Sequence, residues 1–384
     1  MEAVEVAVIG AGVHGASAAY HLAERGASVV LADRGGVAGG PTGRSSAICR
    51  AYYTNRFLAE VAHDSLEMFR SFRELTGHEA GFHETGALFL HPSEDVPRLN
   101  DAVAMLNEVG TEVLLLDAEQ LRSRVPGINL EGVAAGALEV RAGYADPVMT
   151  TSGLLTRARD RGVRVRLHDA VERLLPRRGG GAILELQSGV ELDCARLLLA
   201  AGPWTARLAR QLGTKLPLHV ERHTVATFGW GAAPRVEVAV ADVHGGYYMR
   251  PEGETLFLAG PLHEMPAADP DDFDQNIAPS EVDAMAEGLT ARLPALASAE
   301  SRGGWASLYD VSPDWQPVIG EIVERVYVDA GTSGHGFKLA PALGRHVAAL
   351  VSGEPPDGLK QFHPDRFAAG ATLQAGYGSA HILG

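Results

Sequence analysis

The amino-acid sequence predicts an α/β protein in which a doubly wound sheet is interleaved with a second, antiparallel-sheet region of α+β character. Three observations predict it. The first 33 residues read as strand, glycine turn, helix and strand, the unit that opens a doubly wound sheet. Residues from about Pro217 to Trp305 are richer in strand-like runs than the rest. At 384 residues the chain also exceeds the roughly 250 to 300 that one hydrophobic core serves, so two interleaved domains are expected.

Taken in order, Val4 to Ile9 is expected as a short buried strand. Ala16 to Arg25, rich in Ala and Leu, is expected as a helix that Gly26 stops, and Ser28 to Ala32 as the next strand. Phe57 to about Arg73 has helical apolar spacing, and from about Gly81 to Ala142 short strands surround a helix near Val96 to Val109. A helix from about Val148 to Arg161 should precede strands at Val163 to Leu167, Ala170 to Leu175, Ile183 to Leu186 and Leu197 to Ala200. Turns at Gly179-Gly180-Gly181 and Ser188-Gly189 punctuate them. The strand-rich part carries Tyr247, Tyr248, Leu256 and Phe257, with one helix near Ser280 to Arg292. Val326 to Asp329 then reads as a strand, Gly331 to Gly336 as a loop, Leu339 to Leu350 as a closing helix, and Ala368 to Gly384 as a loose tail.

Composition narrows the function. A formal net charge of −15 at pH 7 and the lack of any Lys/Arg block argue against nucleic acid and against an anionic membrane surface as partners. No run of about 18 uncharged apolar residues is present for a membrane span, and Glu2 and Glu5 stand where a signal peptide needs basic residues. The two cysteines, Cys49 and Cys194, lie in apolar stretches, so neither a disulfide framework nor a zinc site is expected and a cytoplasmic location fits. His219, Glu221 and His223 alternate on one strand face as metal ligands would, but no fourth ligand accompanies them, and no metal is expected.

Gly10, Gly12 and Gly15 form GxGxxG, continued by Ala19, Leu22, Gly26, Val29 and Asp33 at the spacing of a dinucleotide-binding βαβ unit. The first glycine permits the turn, the second admits a pyrophosphate against the backbone, and the third lets helix and strand pack closely. Val13 and His14 lie in that turn. Asp33 is placed to accept from ribose hydroxyls, with Arg34 beside it. The fingerprint alone does not choose between FAD and NAD.

Later segments favour flavin. Leu197 to Trp204 reads LLLAAGPW, Ser307 to Gly320 reads SLYDVSPDWQPVIG, Gly331 to Lys338 reads GTSGHGFK, and residues 40 to 50 read GPTGRSSAICR. With the fingerprint, these resemble the D-amino-acid oxidase superfamily of FAD-dependent oxidoreductases, in the branch of sarcosine oxidase and its β-subunit-like relatives. The resemblance implies an FAD domain from residues 1–85, 140–215 and 306–384, and a substrate domain from 86–139 and 216–305. It places Arg44, Ser45 and Ser46 along the phosphates and flavin, and Val171 at the adenine. Ala201, Gly202 and Trp204 come beside the cofactor, and Gly334, His335, Gly336, Phe337 and Lys338 at the flavin pyrimidine ring.

The resemblance further implies that Arg50 and Lys338 hold a substrate carboxylate, with His335 and Tyr247 in the catalytic pocket and Tyr53, Tyr248 and Trp305 as further candidate walls. Two cations beside an apolar face are costly to desolvate unless an anion arrives between them, which favours a carboxylated amine. Ser307 stands where monomeric sarcosine oxidases carry the cysteine bonded to flavin, so noncovalent FAD is expected. Leu258 stands where they carry an oxygen-activating lysine, so oxygen or another electron acceptor is left open. The expected reaction is hydride loss from the α-carbon of a neutral amine to flavin N5, giving an imine. The alternatives are a noncatalytic or partner-dependent flavoprotein subunit and an NAD(P)-dependent dehydrogenase. The latter leaves GTSGHGFK and LLLAAGPW without a task.

Overall fold

In the computed structural model, residues 1–373, 376 and 383 are described. The first sheet is built around strand Glu2–Ile9, which pairs in parallel with Val29–Ala32 on one edge and Glu191–Leu199 on the other. Its order is completed by Val171–Pro176 and Ala182–Leu186 at one end and Arg164–Arg166 at the other. Strand Glu191–Leu199 has two partners on its outer edge. Its first half pairs antiparallel with Ala182–Leu186, and its last residues pair in parallel with Val326–Ala330. The expected strand at Leu197 to Ala200 is therefore the end of a longer one, whose Glu191, Asp193 and Arg196 masked it in the sequence.

Helix Val13–Glu24 packs against Gly336–Val351 and Pro147–Asp160. Gly344 makes the closest approach possible, since a Cβ there would sit 2.1 Å from Ser17 Oγ. The Pro341 carbonyl, which terminates nothing because Pro341 lies in the second turn of its helix, accepts from Ser17 Oγ and His21 Nε2 at 3.0 Å each. These bonds tie the fingerprint helix to the closing helix.

The second sheet has eight strands in the order Glu300–Val311, His219–Gly229, Leu256–Pro261, Tyr247–Glu252, Ala239–Asp242, Ala87–His91, Ala135–Glu139 and Val113–Leu116. All neighbours are antiparallel except Ala239–Asp242 with Ala87–His91. Helix Pro279–Arg292 covers one face, where Val282, Met285 and Leu289 meet Phe228, Met249, Phe257 and Ala259. The alternate residues of the same strands, among them His223, Tyr248, Ser307 and Tyr309, face the first sheet and line the space between.

Several elements depart from expectation. Phe57 to Arg73 is two helices, Arg56–Arg70 and Phe72–Thr76, broken at Ser71, whose Oγ donates to the Glu67 carbonyl at 2.8 Å. Helix Ala118–Arg124 was not foreseen, although Asp117 and Gln120 form a capping box that marks its start. The closing helix begins at Gly336 rather than Leu339, which puts Lys338 in its first turn. Strand Glu300–Val311 runs across the 305/306 division. The expected tail starts at the last residue of helix Asp365–Ala368, and its positions beyond 373 other than 376 and 383 lie outside the described residues. Among the described residues no helix is long and apolar enough to cross a membrane.

Candidate active site

A cavity of about 510 Å³ runs between the two sheets. At its base lies the glycine turn. Gly10 has φ +118°, and a Cβ there would come within 2.2 Å of the Ala200 carbonyl, while one on Gly15 would come within 2.0 Å of the Gly10 carbonyl. Only glycine fits either place. Gly12 opens helix Val13–Glu24 without a side-chain cap of its own and lines the cavity, so the helix N-terminus faces the space as an anion cradle. Thr42 Oγ1 accepts from Val13 N at 3.2 Å and fixes the loop that carries Arg44.

Asp33, at the end of the second strand, accepts from Ala11 N and Gly35 N at 2.6 Å each, which aims its carboxylate along the cavity wall. Arg34 lies 3.9 Å over the Trp204 ring, and Asp271 accepts from Arg34 Nη1 at 2.8 Å and Trp204 Nε1 at 2.7 Å. His14 faces acceptors on both sides: Nδ1 is 2.9 Å from Asp329 Oδ2 and Nε2 is 3.2 Å from the Gly336 carbonyl. Burial opposes charge on this ring, but the Asp329 carboxylate overcomes it and raises the pKa, so the protonated form that bonds both acceptors and pins the glycine turn to the closing helix is favoured. Gly10, Gly12, Val13, His14, Asp33, Arg34, Arg44, Ser45, Ser46, Val171, Ala201, Gly202, Trp204, Gly334, Gly336 and Phe337 all line this cavity. Gly15 acts beneath it, by packing.

A smaller chamber of about 60 Å³ adjoins it and shares Ser45, Ser46, Tyr309, Gly334 and Phe337 as wall. Arg50, Lys338, Phe89, Tyr248 and Leu262 are among the other lining residues. Arg50 is buried, donates through Nη2 to the Leu383 carbonyl at 2.9 Å and through Nη1 to the Tyr52 carbonyl, and lies 4.9 Å over the Tyr53 ring. Burial, reinforced by Arg50, holds the Lys338 ammonium well below the usual lysine range. Glu139, wholly buried, accepts from Ala51 N at 2.8 Å. Burial pushes its carboxyl up to about 7 against that bond and the pull of Arg50. Glu139 was missed in the sequence, where an isolated Glu ending a strand carries no signal.

Two expectations need correction. Tyr247 points away from the chamber: it packs on helix Pro279–Arg292, where a Cβ on Gly288 would meet its ring at 2.3 Å. The strand pleat gives the chamber wall to Tyr248 instead. His335 lines neither space. Its ring is held by Tyr53 Oη at 3.1 Å and the Trp315 carbonyl at 2.8 Å, and burial together with the Lys338 charge depresses it to about 3. It braces the loop that leads into the closing helix as a neutral residue. Tyr309 was overlooked, although it shares a strand face with Ser307 two residues before it. Leu258 does face inward, opposite Thr227 and Arg250 in register. Arg250 therefore stands beside it, its guanidinium 4.1 Å over Tyr144 and its Nε donating to the Ser46 carbonyl at 2.6 Å. His219 and His223 both bond Glu221, through Nε2 at 2.9 and 3.0 Å.

Comparison with known proteins agrees with this geometry. The DAO family, described as FAD dependent oxidoreductase, matches residues 5–350. The chain is 27% identical to the mitochondrial dimethylglycine dehydrogenase of Rattus norvegicus over 99% of its own length and 47% of the relative's, so it spans about half of that protein. It is 25% identical to the monomeric sarcosine oxidase of Streptomyces avermitilis over 95% of the chain and 98% of the oxidase. The L-proline dehydrogenase structure from P. horikoshii superimposes with a TM-score of 0.88 at 25% identity, covering 97% of this chain and 100% of that one.

Proposed function

The chain belongs to the DAO family of FAD-dependent oxidoreductases, and from that premise we propose that it oxidises the C–N bond of a small amine or amino acid bearing a carboxylate. The observation that carries this reading is the meeting of Arg50 and Lys338 in a small chamber whose wall is shared with the cofactor cavity. The residues fit FAD: a glycine turn whose Gly10 and Gly15 leave no room for a Cβ against the neighbouring backbone, a helix N-terminus for phosphates, and Asp33 for ribose hydroxyls. Bound FAD supplies a two-electron acceptor that takes hydride at N5.

The chain's own groups do the rest. Arg50 stays charged at all working pH and attracts the substrate carboxylate. Burial and Arg50 disfavour the Lys338 ammonium, and an arriving carboxylate favours it, so substrate binding strengthens the second charge of the chamber. Phe89, Leu262 and Tyr248 exclude water, which favours the neutral amine whose α-carbon gives up hydride. No dedicated base is required, and the imine hydrolyses or stays as a cyclic product. Oxygen or another acceptor completes the cycle.

Anaerobic mixing of the yellow protein with N-methyl amino acids, cyclic imino acids and uncharged amines tests the proposal. Bleaching by the carboxylated compounds is expected, and acid should release the FAD, since Ser307 offers no thiol to bind it. Bleaching by none of them would instead favour a noncatalytic or partner-dependent flavoprotein subunit.

A further inference from the structure

We infer that Glu139 is a positioning residue of the substrate chamber: its carboxylate holds the chain that carries Arg50 and so sets where the guanidinium stands to receive a substrate carboxylate. The inference rests on the role given to Arg50 above and deepens it by a residue which that reading leaves out.

Arg50 sits on a segment that cannot place itself. Strand Ile48–Cys49 ends just before it and helix Arg56–Arg70 starts only at Arg56, so residues 50–53 are buried without belonging to either kind of element. Backbone amides there have no ladder to bond, and a buried N–H needs an acceptor. Ala51 N finds one in Glu139 Oε1 at 2.8 Å, and the Tyr52 amide pulls on the same carboxyl. The Tyr52 carbonyl in turn accepts from Arg50 Nη1. A shift of Ala51 or Tyr52 therefore moves both the backbone of Arg50 and an acceptor that fixes its guanidinium.

The other end of the contact is rigid. Glu139 closes strand Ala135–Glu139 and lies between Ala87 and Val113 in register, and the strand of Ala87 continues through Leu88 and Phe89 along the chamber wall. Glu139 is itself wholly buried, so it acts through Arg50 rather than by touching substrate.

A carboxyl taken out of water is retained at a cost that an apolar residue of the same shape would not bear. Its Oε2 is closed off and has no hydrogen-bond partner among the described residues, so what offsets the cost is the bond to the Arg50 segment and the Arg50 charge. Arg50 favours the ionised form of Glu139, and Glu139 that of Lys338, which makes the three one electrostatic cluster at the chamber.

The test titrates FAD-loaded protein with acetate, a minimal stand-in for a substrate carboxylate, and reads binding from the change in flavin absorbance. E139L is expected to bind acetate roughly tenfold more weakly. E139Q, whose amide oxygen can accept from Ala51 N, should keep most of the wild-type affinity. In an R50A background E139L should cost nothing further, because a positioning residue has no effect once the group it positions is gone. E139D keeps the charge on a shorter arm and should show the same dependence on Arg50 in smaller measure, which carries the test if E139L does not fold. Wild-type affinity in E139L or E139D would overturn the inference, as would losses of equal size with and without Arg50. R50A that binds acetate as tightly as wild type would instead overturn the role given to Arg50, and this inference with it.

Discussion

Arg50 offers the sharpest test at the scale of single residues. Its guanidinium is fixed by carbonyl oxygens of Tyr52 and Leu383 at the chamber wall, so Arg50→Ala removes those structural bonds for every substrate alike and a charge-assisted bond for carboxylated substrates alone. The expected loss is about 2 to 3 kcal/mol for carboxylated substrates and little for uncharged amines, read from the concentration dependence of anaerobic bleaching. Equal losses for both classes would place Arg50 outside the substrate's reach. A second prediction concerns pH. His335 sits at about 3 in the folded protein against 6.5 free, so between those values the unfolded chain binds more protons and stability falls as pH drops below 6.5. Glu139, at about 7 against 4.5, has the opposite sign: between pH 7 and 4.5 the folded protein binds more protons and gains stability on acidification. The two offset each other down to 4.5, below which His335 and Glu221, depressed to about 2 against 4.5, both withdraw stability on acidification. E139Q should therefore begin to lose melting temperature near pH 6.5 rather than below 4.5, and H335Q should lose much of the acid slope. Identical profiles in all three proteins would refute this pairing. Of these residues the sequence revealed Arg50, which lies in a recognisable motif, but not Glu139, whose meaning comes entirely from what burial places around it.

Elements explain which aromatic residues reach the chamber. Tyr247 and Tyr248 are adjacent and equally suggestive in the sequence. The pleat sends one to helix Pro279–Arg292 and the other to the chamber, and only pairing with Leu256–Pro261 sets which. Tyr248→Phe is expected to change the substrate dissociation constant while leaving the melting temperature close to wild type. Tyr247→Ala should lower stability by about 1 to 2 kcal/mol through lost packing and leave substrate affinity unchanged. Reversal of these effects would mean the strand's register differs in solution. The same limit explains the other departures. Helix Val96–Val109 was legible because its apolar spacing and Gly110 stop are local signals. The full length of Glu191–Leu199 and the early start of the closing helix at Gly336 depend on partners far along the chain.

Across the whole molecule, the cofactor cavity exists only because segments from both sheets close over it. We propose the division into an FAD domain and a substrate domain with the boundary moved past Val311, since strand Glu300–Val311 stays in the second sheet. The interleaving was legible from ordered motifs at both ends of the chain, whereas the contact between the halves was not, because its residues lie far apart in sequence. Asp271, in the segment between Leu256–Pro261 and Pro279–Arg292, bonds Arg34, Trp204 and Arg207 from the first sheet's side, and Asp269 accepts from Arg207 Nη2 at 2.7 Å. All of these except Asp269 line the cavity, so the cluster fastens one half to the other at its mouth. The partners are largely exposed, and such pairs contribute roughly 0 to 1 kcal/mol each, weakened further by salt. Breaking the cluster should leave the fold intact but open the mouth more often. Asp271→Asn is expected to speed FAD release up to about fivefold at low ionic strength, the equivalent of roughly 1 kcal/mol. Salt should accelerate release in both proteins, because FAD phosphates are themselves screened, but more steeply in the wild type, which alone has the Asp271 charge to lose. Release rates measured by flavin fluorescence across a salt series decide the matter: parallel curves of equal height would show that this cluster plays no part in holding the cavity closed.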